Sequence, residues 1–327
     1  MGNCQCWQPN LSEPTLKSRI PLPEELNVSS MSPRLAKLAE KALANRAFEI
    51  TKIDLSNREL GEDGSVHFNN ILQYYTHIES LLLPSTRLNA DIFSIFSENL
   101  IECTKLVELD LSHNILGPRG AQRLAEVLER FLKLETLVLQ DVSLESSGMI
   151  FLCEGLTHLK ALKVLNISEN KIGDSGIKTF SNVINSFPKL LYLDIHHNEI
   201  SISGCNFIGK CLEVLQELQI FKVGSNFLMK EGGNTVVTKL PTTLKELWME
   251  STGLEDSHIC LLAPLLSTIT KLDVLILDQN LIGPKGAEVL TNCLPKMHLK
   301  TLSLVGCDVS LYRKALSVAS ESTEVFI

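Results

Sequence analysis

Three histidines stand among carboxylates in this sequence. His113 follows Asp110, the pair His196-His197 follows Asp194, and Asp141 and Glu169 occupy matching places in neighbouring stretches. Imidazole beside carboxylate can serve as a general acid–base pair or contribute to a metal-ligand set. A metal, however, needs several ligands fixed at about 2 Å with outer hydrogen bonds behind them. Adjacent residues of a strand point in different directions, so His196 and His197 cannot share one ion. The expectation is therefore solvated histidines whose positive form is favoured by nearby acids, with no catalytic residue, no metal and no cofactor. The sequence also lacks a glycine-rich phosphate loop, a GxSxG elbow and a zinc-protease motif.

Sulfur chemistry divides into two groups. The nine cysteines include no CxxC pair, and seven are scattered along the body of the chain, which reads as reduced, mostly buried thiols of a cytosolic protein. Cys4 and Cys6 differ because they sit in Met1-Gly2-Asn3-Cys4-Gln5-Cys6. Removal of Met1 would expose Gly2 for myristoylation, although the sixth position is Cys where Ser or Thr is preferred. The segment resembles the N-termini of dually acylated Src-type kinases, with Gly2 for myristate and Cys4 and Cys6 for palmitate. One myristoyl chain anchors only marginally, so a second lipid matters. Residues 1–47 carry six bases against four acids and offer no polybasic substitute. The expectation is a peripheral protein tethered to the cytoplasmic face of a membrane.

Composition narrows the rest. A net charge of -8 argues against nucleic acid, whose phosphates require Lys/Arg-rich surfaces. No apolar run reaches the roughly 18 residues of a membrane-spanning helix. No basic start followed by an apolar stretch marks a secretory signal, so the sequons at Asn10, Asn27 and Asn166 are expected to stay unused.

The elements that must position these residues come from a repeat. Segments of the form L-x-x-L-x-L-x-x-N-x-L begin at Ile50, Ile78, Leu106, Leu134, Leu162, Leu190, Leu218, Leu244, Leu272 and Leu299, at steps of 26 to 28 residues. Positions 1, 4, 6 and 11 are apolar in all ten copies, although only 44% of the chain is apolar, so chance does not produce the pattern. Alternation at positions 4 and 6 marks a short strand with one buried face. Position 9 is Asn114, Asn170, Asn198, Asn226 or Asn280 in five copies, and a buried Asn there can satisfy turning backbone. Thr86, Thr252 and Cys307 are substitutes, whereas Arg58 and Val142 depart from the pattern. Between strands the spacing turns helical, as in Gly117-Pro118-Arg119-Gly120 followed by Ala121, Leu124, Ala125 and Leu128.

Stacked strands lie about 4.8 Å apart and packed helices about 8–10 Å, so such a stack must curve with its parallel sheet inside. The expected fold is an α/β solenoid of about ten 28-residue strand–helix repeats. It divides into a tether (1–31) carrying the acylation signal, an N-terminal capping helix (32–47), the repeat domain (48–310) and a C-terminal cap and tail (311–327). The last three residues, Val325-Phe326-Ile327, also match a short PDZ-ligand pattern.

With stretches such as LSHNILGPRGAQRLAEVL (111–128) and LDQNLIGPKGAEVL (277–290), residues 50–310 resemble the ribonuclease-inhibitor-like class of leucine-rich repeats. That class includes ribonuclease inhibitor, Ran GTPase-activating protein, the NOD-like receptor repeats, tropomodulin and CARMIL. The resemblance implies the horseshoe, and for function it implies only a choice among inhibitors, activators and scaffolds.

The sheet pattern indicates where a partner would sit. Positions 2, 3, 5, 7 and 8 of the repeats face the concave side or its rim, and they hold twelve acids and five bases. That balance accounts for seven of the chain's eight net negative charges, so the trough should attract a basic protein surface. Tyr192, Ile220, Trp248 and Ile276 punctuate this face as an apolar hot spot. The candidate partner-binding set is Glu108, Asp110, Asp141, Glu169, Tyr192, Asp194, His196, Ile220, Trp248, Glu250, Ile276 and Asp278. The expected function is a monomeric, non-enzymatic scaffold or adaptor. The alternatives are a regulator of a small GTPase and an enzyme inhibitor of the ribonuclease-inhibitor type; the acidic tail characteristic of the first is missing from SESTEVFI.

Overall fold

The structure, a computed structural model, describes residues 50–319 and 323–327. The tether, the capping helix at 32–47 and the lipidation residues Gly2, Cys4 and Cys6 lie outside the described residues.

Each repeat contributes a three-residue strand and then a helix. The order is β1 (Lys52–Asp54), α1 (Gly61–Leu72), β2 (Ser80–Leu82), α2 (Ala90–Leu100), β3 (Glu108–Asp110), α3 (Gly117–Leu128), β4 (Thr136–Val138) and α4 (Glu145–Leu156). It continues with β5 (Val164–Asn166), α5 (Gly173–Val183), β6 (Tyr192–Asp194), α6 (Ile202–Val214), β7 (Ile220–Lys222) and α7 (Met229–Val237). The last elements are β8 (Glu246–Trp248), α8 (Asp256–Leu266), β9 (Val274–Ile276), α9 (Pro284–Cys293), β10 (Thr301–Ser303), α10 (Arg313–Ala319) and β11 (Glu324–Phe326). All eleven strands form one parallel sheet in sequence order, with the helices packed along its convex side.

The register is uniform. Ile53, Leu81, Leu109, Leu137, Leu165, Leu193, Phe221, Leu247, Leu275 and Leu302 pair side by side and are all buried. Their flanking residues face the opposite way, as the period of two requires. On the helix side, Ala121, Leu124, Ala125 and Leu128 of α3 are buried in the expected stripe.

The asparagine row explains how such short strands hold their turns. Asn198 is fully buried, accepts from the backbone N–H groups of Asn170 (3.0 Å) and Ile172 (3.3 Å), and donates to the carbonyls of Ile167 and Ile195. Asn114, Asn170, Asn226 and Asn280 repeat the arrangement, so each reaches back into the preceding repeat. Thr86 and Thr252 donate to the carbonyl three residues back, and the Cys307 thiol reaches Leu277 O. Val142 fills the same buried place with hydrocarbon.

An eleventh strand was not legible in the spacing. The last residues, expected as a tail, instead extend the sheet: Val325 pairs beside Leu302, and Phe326 beside Ser303. The step from Leu302 to Val325 is shorter than a full repeat because α10 has only seven residues, and that shortening breaks the 28-residue rhythm.

Candidate protein-binding face

The first and third residue of every strand face the concave side. The third-residue acids do structural work there. Asp54, Asp110 and Asp194, with Asn166 between them in the row, each accept from the backbone N–H two residues on, and from that residue's Ser hydroxyl or His196 Nδ1. A short side chain with an acceptor is what a turn directly after a strand needs. Asp110 and Asp194, both in the candidate partner-binding set, thus have oxygens committed to their own turns. Asp194 is almost entirely buried, and burial raises the Asp110 carboxyl, with the Ser112 hydrogen bonds opposing.

Acids elsewhere on the face are less committed. Glu108 accepts the Ser80 hydroxyl (2.6 Å), and Asp141 is exposed with His113 Nδ1 3.4 Å away. Asp278, half-buried, accepts from the Val305 N–H (2.9 Å) in the next repeat. Asp141 and Glu169, like His113 and His197, occupy position 8 of their repeats, where φ lies between +50 and +57°. Asn57, Ser85, Ser225, Ser251 and Gln279 share this left-handed backbone. A left-handed residue at the strand exit turns the chain toward the rim, which is how these side chains reach the edge of the trough.

The centre of the face lies over β5 to β9, where charge and ring surface interlock. Gln140 Nε2 donates to Glu169 Oε1 (2.6 Å), and His196 bridges Asp194 (2.7 Å) to Glu169 (3.5 Å). Burial pulls the His196 pKa down, yet the Asp194 hydrogen bond and the charges of Asp194, Glu250 and Glu169 outweigh it and leave the pKa raised. His197, its neighbour, points away and is exposed. Among the described residues no group of three His, Cys, Asp or Glu side chains is placed to hold a metal.

Glu250 occupies the hollow above Gly224: a β-carbon on Gly224 would lie 2.2 Å from the Glu250 carboxyl carbon. Its Oε2 is buried without a hydrogen-bond partner among the described residues, and burial raises its pKa, aided by Asp194 and opposed by its own backbone, His196 and Lys222. An unpaired buried carboxylate oxygen is costly, and a cationic donor would relieve it.

The apolar residues are less exposed than the sequence suggested. Tyr192 and Ile276 are buried, at 8% and 9% exposure, while Ile220 and Trp248 are half-buried. Cross-strand neighbours on a concave sheet crowd together: Tyr192 lies beside Ile220, and Trp248 beside Ile276. Lys222 adds cover, with Nζ 4.4 Å from the Trp248 ring centre and 5.7 Å from that of Tyr192. The Tyr192 hydroxyl donates to Asp194 (3.1 Å), and the Trp248 indole N–H donates to Glu246 (3.1 Å). The rings are thus fixed before any partner arrives. Gln140, Gly224 and the seat of Lys222 were missed by the pattern, because each acts through a neighbouring repeat. Ion pairs Lys163–Glu135 and Lys300–Asp273, both 2.8 Å, neutralise part of the rim.

The family model described as "Leucine Rich repeat" matches residues 102–125 and 157–181. No curated protein matches this sequence. Among solved structures, an internalin (inlF) from Listeria monocytogenes str. 4b F2365 is 18% identical with a TM-score of 0.46, covering 90% of this chain and 94% of that one. A TLR13–ssRNA13 complex is 19% identical with a TM-score of 0.42, covering 72% of this chain and 33% of that one. Neither likeness bears on function at that distance. The strand–helix units are leucine-rich repeats.

Proposed function

We propose that this leucine-rich-repeat protein is a non-catalytic scaffold that takes a basic protein surface into its concave trough over β3 to β9. Leucine-rich-repeat folds serve in general as protein-interaction scaffolds, and the finer reading is supported by one observation. Beside the half-buried Ile220 and Trp248 stand Glu246, which accepts from the Trp248 indole, and Glu250, whose buried Oε2 has no hydrogen-bond partner among the described residues, while Glu108, Asp141 and Glu169 line the same trough over β3 to β5. Pre-fixed aromatic surface rimmed by carboxylates is the composition of a binding hot spot for Lys- and Arg-bearing partners. The test compares Trp248→Ala and the Glu108→Lys/Glu250→Lys pair with wild type, using a partner that wild type captures. Neither change touches the turn-holding Asp110 or Asp194, so the chain should stay folded while affinity falls at least about tenfold. Undiminished affinity in a folded variant would remove the face from consideration.

The same reading sets the scaffold at the cytoplasmic face of a membrane, tethered through Gly2 with Cys4 and Cys6. Its support is the N-terminal sequence alone. Intact mass and membrane fractionation of wild type beside Gly2→Ala decide it: a myristoylated, membrane-bound wild type with a soluble variant is the expected outcome. An unmodified Gly2 would end the tether.

A further inference from the structure

Parallel strands give the solenoid two unlike edges: one is built from the return segments that lead into the strands, the other from the loops that leave them. The return segments before β3 to β6 (residues 101–107, 129–135, 157–163 and 184–191) hold six bases, Lys105, Arg130, Lys133, Lys160, Lys163 and Lys189, against three acids. The loops that leave the same strands (112–119, 140–147, 168–175 and 196–203) hold five acids against two bases. In an acidic chain, one edge is therefore locally positive and the opposite one negative.

On the return edge only Lys163 is ion-paired, to Glu135; the other five bases are exposed and have no ion pair among the described residues. Strand spacing of about 4.8 Å places all five within about 15 Å along the sheet. Leu132, 62% exposed, projects among them, between Arg130 and Lys133 and one repeat from Lys160. Residue 50, where the described chain enters the first repeat, lies on this same edge, because it precedes β1.

We propose that the return edge over repeats 3 to 6 docks on an anionic lipid bilayer, with Lys105, Arg130, Lys133, Lys160 and Lys189 over the headgroups and Leu132 among them. Charge complementarity selects the surface, and the negative opposite edge turns outward, so the horseshoe stands on edge with its trough open to the side. A lipid chain plus a basic patch forms a stable two-signal anchor, and this edge supplies the patch that residues 1–47 lack. The proposal shares the membrane setting of the preceding section but does not depend on acylation.

The test uses full-length protein made in bacteria, with intact mass confirming an unmodified Gly2, so that lipidation does not contribute. It is titrated with phosphatidylcholine vesicles with and without phosphatidylserine. Binding should require phosphatidylserine and fall steeply with salt. At roughly 1 kcal/mol per basic residue near the surface, a Lys133→Gln/Lys160→Gln/Lys189→Gln variant should bind about a hundredfold more weakly. The matching variant of the opposite edge, Lys171→Gln/Lys230→Gln/Lys285→Gln, drawn from the segments that leave β5, β7 and β9, should bind as wild type. Indifference to phosphatidylserine, equal losses from both triple variants, or tighter binding to single-stranded RNA than to vesicles would overturn the proposal. Myristoylation of Gly2 in cells is read separately, so either idea can fail without the other.

Discussion

Replacing Asn198 by Ala should be among the most damaging single changes in the sheet, because two repeats depend on one side chain. Asn198 is fully buried, as are Asn170 and Ile172, whose N–H groups it accepts at 3.0 and 3.3 Å. Alanine leaves both donors in a dry interior. An unsatisfied buried donor costs about 1–3 kcal/mol, so the pair costs about 2–6 kcal/mol. The carbonyls of Ile167 and Ile195 lose their amide donor as well. Solenoid stability is a sum of repeat and neighbour-interface terms, and this loss falls on the interface between repeats 5 and 6. It should lower the urea midpoint and split the transition, with the two halves no longer unfolding together. Asn198→Thr provides the internal scale. Thr86 and Thr252 occupy the same place naturally and donate to the carbonyl three residues back, at 2.9 and 2.8 Å. Threonine should therefore recover about 1 kcal/mol by restoring the bond to Ile195 while leaving the two N–H groups unmet. The assay is urea unfolding followed by circular dichroism, with hydrogen exchange at Asn170 and Ile172. A cost below about 0.5 kcal/mol for Asn198→Ala, the level of an ordinary surface change, would refute the reasoning.

Two further outcomes follow from the titrating groups. The raised pKa of His196 means that its stabilising charge is fully present below the unfolded value and is lost as pH rises through the folded one. The raised Glu250 carboxyl means that the fold holds a proton more readily than the unfolded chain, so stability also falls as pH climbs from the ordinary carboxylate range through the raised value. A basic partner prefers neutral His196 and ionised Glu250; its affinity should rise with pH across the same windows and its binding should release protons, measured by calorimetry in two buffers of different ionisation enthalpy. Affinity that falls with pH would contradict the site. Thiol reactivity should be equally graded: burial pushes Cys103, Cys153, Cys205 and Cys211 up to about 12, while Cys260 is exposed. Alkylation followed by peptide mass mapping should label Cys260 first among the repeat-region thiols and leave those four unmodified until unfolding.

Much of the fold is legible from the sequence because each repeat restates it. Forty apolar positions and an Asn at the same place in five copies specify strand, turn and buried face without any long-range information. The candidate site is legible only in outline. Period two puts Asp110, Asp194, Tyr192 and Ile276 on the concave side, but it does not reveal that the two acids brace their own turns. Nor does it reveal that Tyr192 and Ile276 are covered by neighbours one strand away. The bracing is a local choice of partner two residues on, and the covering depends on contacts one repeat away, such as Lys222 over Trp248 or Glu250 over Gly224. The strand at Glu324–Phe326 was hidden for a related reason: its return helix is too short to keep the rhythm on which the reading relied.

The central claim, that partners enter the acidic concave trough, is tested most directly by photocrosslinking in cells from single positions. A photoreactive residue in place of Ile220 samples the trough, and one in place of Ile150 samples an exposed position of α4 on the convex side. The account predicts adducts from position 220 to Lys- and Arg-rich segments of a discrete protein, lost in high salt and in the Glu108→Lys/Glu250→Lys background. Adducts arising chiefly from position 150, or adducts from position 220 that persist unchanged after charge reversal, would contradict it.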